Sequence, residues 1–286
     1  MERYYSFAGI SLVLDIPDNM VFPQERTLAP FRIDRVENAH YYSFKAVEKL
    51  TPPFGRCIVN SGGFCVYPTG DGQGSVRYIG SVAEGWESAY IRAVHTGYYH
   101  EIEIKRSSYS DRLGVHTVLG CLAAEDLVAK NSGVILHSSY IGHRGGGIVF
   151  TAPSETGKST QADLWANLRG AEIINSDRSV LRVMNGETRI FGVPFAGSSN
   201  ICKNLTLPAA AIVYLKQDSM TTIRRLRGAE AFRRIWEGCV VNTWEHAHTA
   251  CVSETVRRII MSVPVFELAC TPDESAINVL EGVLSL

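Results

Sequence analysis

The sequence predicts an α/β protein, in which a β-rich N-terminal region precedes a segment of alternating strands and helices. The chain has 286 residues, of which 45% are hydrophobic and 20% charged, and these are ordinary values for a globular protein of one large or two smaller domains. Short apolar runs separated by Gly, Asn and Asp turns occupy its N-terminal third. From Val134 onwards, apolar runs of strand length alternate with helical periodicities.

The charge balance and the apolar runs exclude several function classes. Lys and Arg total 28 against 29 Asp and Glu, so the formal net charge is −1, which argues against a broad surface for nucleic acid or anionic membrane. No apolar run approaches the roughly 20 residues of a membrane span, and the first residues lack a secretory signal pattern. The seven cysteines are scattered without a C-x-x-C pair, as is typical of a reducing compartment. We therefore expect a cytoplasmic protein that binds neither nucleic acid nor membrane.

The N-terminal region, residues 1–110, is expected to be a β-rich domain without recognisable chemistry. Apolar stretches at 6–16, 57–60, 64–67 and 97–104 predict strands, and Gly-rich turns separate them. The tyrosines and histidines of this region are interpreted as half-buried sheet residues and not as ligands.

The second domain, residues 111–286, is predicted to alternate helices with strands. Apolar residues recur at spacings of three and four from Leu113 to Leu127, which predicts an amphipathic helix joining the two regions. Further strands are predicted at 134–136, 147–151, 171–175, 210–215 and 265–268. Further helices are predicted at 160–168, from about 229, and at 254–261. A last helix is predicted with Thr271 as its N-cap and Glu274 completing a capping box.

The strongest chemical signal is a phosphate-binding loop at residues 152–159. The stretch Ala152-Pro153-Ser154-Glu155-Thr156-Gly157-Lys158-Ser159 follows the P-loop (Walker A) pattern G-x-x-x-x-G-K-[ST], with alanine at the first glycine position. An apolar strand enters the loop and a helix leaves it, so backbone N–H groups and the helix N-terminus would surround a phosphate. Lys158 should reach the β- and γ-phosphates, and Ser159 should ligate Mg²⁺. The loop residues expected to contact the nucleotide are Ser154, Glu155, Thr156, Gly157, Lys158, Ser159 and Thr160.

A carboxylate, Asp177, follows the strand predicted at 171–175. P-loop proteins place a metal-binding aspartate at the end of the neighbouring strand, so Ser159 and Asp177 are the predicted Mg²⁺ ligands. Arg178 comes next, and it either binds phosphate or pairs with an acid on the rim of the sheet. Glu155 would repel phosphate inside an anion-binding loop, so it either points outward or acts near the γ-phosphate.

These segments resemble the catalytic core of the HPr kinase/phosphorylase family and its PEP-carboxykinase-like relatives. In that family a strand carrying a histidine precedes the P-loop strand, and a later strand ends in an Asp-Asp pair. The matching segments are Leu136-His137, 148–160, 170–178, 191–197 and 268–273. The resemblance covers about residues 110–286 and is greatest to the small HPr-kinase-like proteins encoded beside modified-peptide pathways, including lasso-peptide kinases.

The resemblance implies an HPr-kinase/PEP-carboxykinase-like P-loop core and an ATP- and Mg²⁺-dependent kinase that phosphorylates a hydroxyl, usually a serine of a peptide or small protein. By this resemblance Lys158 neutralises phosphate charge, Ser159 and Asp177 hold Mg²⁺, and His137 lies near the γ-phosphate. The resemblance also implies that an aspartate of the pair is the general base, and that the protein forms a homo-oligomer. The predicted catalytic residues are therefore His137, Lys158 and Asp177.

Several positions depart from the family pattern. Ser176 replaces the first aspartate of the pair, and a serine hydroxyl cannot replace a carboxylate base at neutral pH. Glu155 stands where the family usually has glycine, and Ser198 where it often has lysine. The signature that contacts HPr is missing, which argues against HPr as substrate. Three functions therefore stay open: a hydroxyl kinase, a nucleotide-binding regulatory module with little or no transfer chemistry, and small-metabolite chemistry such as free-serine phosphorylation or carboxykinase-type turnover.

Overall fold

Two mixed β-sheets with few helices form this α/β protein, as the alternation of apolar runs predicts. Residue contacts divide the chain into a first unit, Met1–Ala124, and a second unit, Glu125–Leu286. The computed structural model describes residues 1–18, 27–72, 74–108, 120–197 and 199–284. Within these ranges, no helix is long and apolar enough to cross a membrane.

The first unit is a mixed eight-stranded sheet, counted over its described residues, with the order β1-β2-β3-β8-β7-β6-β5-β4. Its strands are β1 (Glu2–Phe7), β2 (Ile10–Asp15), β3 (His40–Val47), β4 (Val59–Asn60), β5 (Phe64–Pro68), β6 (Ser75–Gly80), β7 (Ala89–Thr96) and β8 (Tyr99–Lys105). The single strand predicted at 6–16 is wrong. The chain reverses at Ala8 and Gly9, whose φ values of 52° and 71° suit the tight turn of a twisted hairpin.

The second unit contains a second mixed sheet and the helices that cover it. The strands are β9 (Gly133–His143), β10 (Gly146–Thr151), β11 (Glu172–Asn175), β12 (Arg178–Met184), β13 (Glu187–Phe191), β14 (Thr206–Gln217), β15 (Thr222–Leu226) and β16 (Val265–Cys270). The helices are α1 (Ala124–Lys130), α2 (Lys158–Arg169), α3 (Gly228–Trp236), α4 (His246–Ser262) and α5 (Glu274–Glu281). Helix α1 overlaps only the end of the predicted connecting helix. Residues 111–119 of that helix lie outside the described ranges. The described chain turns at Leu122 and Ala123, and Ala123 has a φ of 48°, so the prediction of an unbroken helix up to Leu127 is wrong.

Strands β10, β14 and β16 run parallel to one another at the centre of this sheet. The remaining pairings are antiparallel, and β9 pairs with β10, β11 and β12. Strand β9 therefore lies between β10 and β11, and the expectation that β11 neighbours the loop-bearing strand is wrong. In sheets of this kind, ligands bind at the carboxyl ends of the parallel strands, where the segments after β10, β14 and β16 meet.

The sheet of the second unit is covered on both faces. Ile148 and Phe150 of β10 belong to one apolar cluster with Trp165 of α2 and Ile277 of α5. Val149 faces the opposite way, into the apolar cluster that also contains residues of α3 and α4. All six residues of β10 are buried, which explains the uninterrupted apolar run that marks it in the sequence.

Helices α2 and α5 begin at identifiable residues. Helix α2 starts directly after Gly157 and ends at Gly170, whose φ of 64° matches the left-handed cap that glycine favours. The prediction that Thr271 caps α5 is wrong. The N-cap is Asp273, whose side chain accepts a hydrogen bond from the Ser275 backbone N–H at 2.8 Å, because a carboxylate can both cap the helix and interact with its positive end.

Gly192, directly after β13, provides a test of how tightly the second unit is packed. A Cβ atom at this position would lie 1.9 Å from the carbonyl oxygen of Lys203, and a backbone oxygen cannot move aside as a flexible side chain can. We expect Gly192→Ala to lower the free energy of unfolding by about 2–3 kcal/mol in urea denaturation. The matched control is Gly282→Ala, where the nearest atom to the new Cβ is 3.5 Å away; equal stabilities of the two variants would contradict this packing.

Candidate functional site

The loop between β10 and α2 connects a buried strand to a helix N-terminus and contains two residues with positive φ. Thr151 ends the buried strand, and α2 begins at Lys158. Between them Glu155 and Gly157 adopt positive φ values of 65° and 108°. Glycine takes such a conformation without cost, whereas glutamate does so under strain. The loop therefore leads the chain from a buried strand end directly into a helix N-terminus, which favours negative charge.

Lys158 lies inside this loop. Its Nζ donates to the carbonyl oxygens of Ala152 and Pro153, each at 3.0 Å. The residue is only 7% exposed; burial lowers the pKa of its ammonium, and the carboxylate of Asp177 acts in the opposite direction. Lys158 thus places a cationic group next to the turn, where it can engage a phosphate.

Asp177 carries the carboxylate opposite the loop. Its two oxygens each lie 3.5 Å from a nitrogen, one from Nε2 of His137 and the other from Nε of Arg178. The guanidinium of Arg178 lies over the ring of Phe195, 5.6 Å from its centroid. The sequence left two alternatives for Arg178, phosphate binding or pairing with an acid. In the structure its guanidinium lies beside the carboxylate of Asp177.

The backbone of β9 brings His137 and Asp177 to the loop. The N–H of Ser138 donates to the carbonyl oxygen of Asp177 at 2.9 Å, and the hydroxyl of Thr151 donates to the carbonyl oxygen of His137 at 3.0 Å. The end of β10 and the turn after β11 are therefore fixed to the same point of β9. Although β11 does not neighbour β10, Asp177 still reaches the loop because β9 connects them.

These side chains enclose a cavity of about 410 Å³, here called the phosphate cavity. It is lined by His137, Ser154, Glu155, Gly157, Lys158, Ser159, Thr160, Ser176, Asp177, Gly197 and Ser199. The structure thus brings together all three predicted catalytic residues and most of the predicted loop residues. Two predicted residues do not line it: Thr156 lines a different cavity, and Arg178 contacts Asp177 without being part of the lining.

Sequence reasoning missed the part of the phosphate cavity that follows β13. The hydroxyl of Ser199 is hydrogen-bonded to that of Ser176, so the position of the missing carboxylate is occupied by a pair of serines. A Cβ on Gly197 would lie 3.2 Å from Cβ of Asp177, so glycine here permits close approach. The segment 191–197 is among those that resemble the kinase family, whereas nothing in the sequence singled out Ser199; Ser198 between them lies outside the described residues.

The donor set of the phosphate cavity fits Mg²⁺. The ion is usually held by one or two carboxylates together with substrate phosphates and water, and not by a complete protein cage. The two predicted ligands, Asp177 and Ser159, offer a carboxylate and a hydroxyl to this cavity, and Glu155 and four further hydroxyl side chains also line it. No group of three or more His, Cys, Asp and Glu residues suitable for a metal occurs in the described part of the chain, so a substrate would have to supply further ligands.

A second cavity, of about 550 Å³, lies on the other side of the loop. Its lining residues are Glu155, Thr156, Gly157, Thr160, Gln161, Leu215, Lys216, Gln217, Asp218, Ser219, Cys270, Thr271 and Pro272. It shares Glu155, Gly157 and Thr160 with the phosphate cavity. Glu155 is exposed and lines both cavities. Its side chain is therefore both open to solvent and next to the phosphate cavity, so neither of the two alternatives from the sequence describes it alone.

Comparison with known proteins finds one structural likeness of interest and no match in sequence. No protein-family model matches the chain, and no curated protein is similar to it. Among solved structures, it is similar to the HPr(Ser) kinase/phosphatase from Coxiella burnetii, with 10% identity, a TM-score of 0.30, and coverage of 52% of this chain and 94% of that one. The identity and the TM-score are both low, so this likeness assigns no function to the chain.

Proposed function

We propose that the second unit is a P-loop domain and that the protein is an ATP- and Mg²⁺-dependent kinase that transfers phosphate to a hydroxyl. The observation that carries the proposal is the phosphate cavity: a strand–turn–helix with an internal lysine faces the carboxylate of Asp177 and a histidine across a space of about 410 Å³. Phosphoryl transfer requires mainly positioning and charge stabilisation, and these groups supply both.

Each residue has a defined task in the proposed reaction. The oxygen of the acceptor hydroxyl forms a bond to the γ-phosphorus, the bond from that phosphorus to the β–γ bridging oxygen breaks, and ADP leaves. Asp177 receives the hydroxyl proton or orients the acceptor, with His137 at 3.5 Å as the adjacent proton carrier. Lys158 and the N–H groups of the loop stabilise the phosphate oxygens. Bound Mg²⁺, held by Ser159 and Asp177, would neutralise charge on the phosphates.

The acceptor proposed is a serine of a peptide or small protein. Lys158 is the one lysine or arginine in the lining of the phosphate cavity, as far as the described residues extend. With Lys158 engaged by the phosphates of the nucleotide, no further lysine or arginine of this lining is left for a charged acceptor, which favours a neutral hydroxyl. Incubating the protein with ATP, Mg²⁺ and a serine-containing peptide library, then measuring phosphate incorporation by mass spectrometry, tests this acceptor class.

The second candidate is a nucleotide-binding module without transfer chemistry, and the Ser176–Ser199 hydrogen bond favours it. A pair of hydroxyls replaces the second carboxylate, which leaves Asp177 to serve both metal and proton. Measurable Mg²⁺-ATP binding without transfer to any peptide or to free serine would establish this alternative. Formation of phosphoserine from free serine alone would instead establish a metabolite kinase.

Glu155 is expected to weaken phosphate binding. Its carboxylate lies on the rim of both cavities and its backbone has a φ of 65°. We expect Glu155→Gly to bind Mg²⁺-ATP about three- to tenfold more tightly in calorimetry, because a nearby negative charge and a strained conformation are both removed. Glu155→Gln separates the two causes, since it removes the charge and keeps the strain. Weaker binding by both variants would show that the carboxylate contributes to the site.

A further inference from the structure

The second cavity shares part of its lining with the phosphate cavity, as two neighbouring subsites for one extended ligand would. Both cavities include Glu155, Gly157 and Thr160, so a phosphate chain held by the loop would pass directly from one into the other. The volume of about 550 Å³ is within the range of small-molecule sites. The cavity also lies at the carboxyl ends of β14 and β16, which are the parallel strands beside β10.

Gln161 forms part of the lining of this cavity and is incompletely hydrogen-bonded. The residue lies in the first turn of α2 and is only 2% exposed. Its Nε2 donates to Sγ of Cys270 at 3.5 Å, whereas its Oε1 meets no donor among the residues that the structure describes. A buried amide oxygen without a donor costs free energy, and a ligand donor in the cavity would remove that cost.

The surroundings of Gln161 suit a neutral, flat group better than an anion. Leu215 and Cys270 lie beside it in the lining, and burial raises the pKa of the Cys270 thiol, which keeps it uncharged. At the rim, Asp218 and Thr271 offer a carboxylate and a hydroxyl to which sugar hydroxyls can donate. Lys216 also lines the cavity, where it is exposed and pairs with Asp218 at 3.6 Å. The buried part of the lining is therefore uncharged, and the charged side chains lie where the lining is exposed or partly exposed.

We propose that the second cavity is the nucleoside subsite and that Gln161 recognises the amino-bearing edge of an adenine base. A glutamine amide matches adenine because its oxygen accepts from the exocyclic amino group while its nitrogen donates to a ring nitrogen. A base with an oxo group in place of the amino group would leave Oε1 without a donor. This inference rests on the proposed function, since it assumes that the loop holds the phosphates of the same ligand.

The test is calorimetric titration of the protein and of Gln161→Met with ATP, inosine triphosphate and inorganic tripolyphosphate, each with Mg²⁺. The wild type is expected to bind ATP at least tenfold more tightly than either other ligand. Gln161→Met is expected to bind ATP about tenfold less tightly, at the level of inosine triphosphate, with unchanged affinity for tripolyphosphate. Because methionine fills a similar volume and removes an unpaired amide oxygen, the ligand-free variant should unfold at the wild-type temperature or above it.

Failure of the nucleoside subsite, of the role of Gln161 and of the proposed function would each give a different result. Equal binding of ATP and tripolyphosphate by the wild type would overturn the nucleoside subsite and leave the phosphate loop intact. A preference for ATP over inosine triphosphate that persists in Gln161→Met would overturn the role of Gln161. Binding of none of the three ligands would overturn the proposed function itself, and Lys158→Met, which should weaken all three, identifies binding that depends on the loop.

Discussion

Lys158→Met is expected to reduce phosphate transfer about a hundredfold to a thousandfold, a loss of the size seen when one preorganised donor is removed from a charged transition state. Lys158 lies within the loop, bound to the carbonyl oxygens of Ala152 and Pro153, and no other lysine lines the phosphate cavity among the described residues. Methionine keeps the length of the side chain but carries neither charge nor N–H donors. Transfer rates and ATP affinity, measured on the same preparation, report the loss.

A second lysine provides the control for this substitution. Lys203 pairs with Glu172 at 2.8 Å on the surface and lines neither cavity. We expect Lys203→Met to keep wild-type transfer and ATP binding, because an exposed ion pair contributes little. Equal activity of the Lys158→Met and Lys203→Met variants would show that the loop is not where phosphate binds.

Asp177→Asn is expected to lower transfer by a hundredfold or more and to remove most of the enhancement of ATP binding by Mg²⁺. The amide keeps the shape of the side chain but can neither accept a proton nor provide an anionic metal ligand. Since Asp177 is the single carboxylate besides Glu155 in the described lining of the phosphate cavity, no neighbour can take over both tasks. Titration of ATP binding against Mg²⁺ separates the effect on the metal from that on the proton.

The control for Asp177→Asn is the same substitution at an exposed position of α2. Asp163 lies on the solvent side of that helix, so Asp163→Asn changes the net charge equally without touching either cavity. It should bind Mg²⁺-ATP and transfer phosphate as the wild type does. A wild-type Mg²⁺ response in Asp177→Asn would contradict the assignment of Asp177 as a metal ligand.

The strand–loop–helix at 146–169 was predictable because its signals are local. Strand β10 is buried along its whole length, so its sequence is continuously apolar, and glycines with positive φ bound α2 at both ends. The predicted proximity of Asp177 to the loop is also found, but for a different reason. The strand that separates them, β9, contains two histidines and two serines, and this polar content hides its length of 11 residues from a search for apolar runs.

The second cavity could not be predicted from the sequence. Gln161, Asp218 and Thr271 are separated by more than fifty positions each and meet only because β10, β14 and β16 pair in parallel. Gln161 also lies in a helical turn where a polar side chain would ordinarily face solvent. The strand order is needed to see that this turn of α2 faces the end of β16 and that the amide of Gln161 is buried there.

Calorimetric titration of the wild type with Mg²⁺-ATP, beside Lys158→Met, tests the central claim most directly, because binding must precede either transfer or regulation. The loop geometry predicts saturable binding that needs Mg²⁺ and is weakened at least tenfold in Lys158→Met. No heat of binding to the wild type, or equal affinities of the wild type and Lys158→Met, would contradict a phosphate-binding role for residues 152–159.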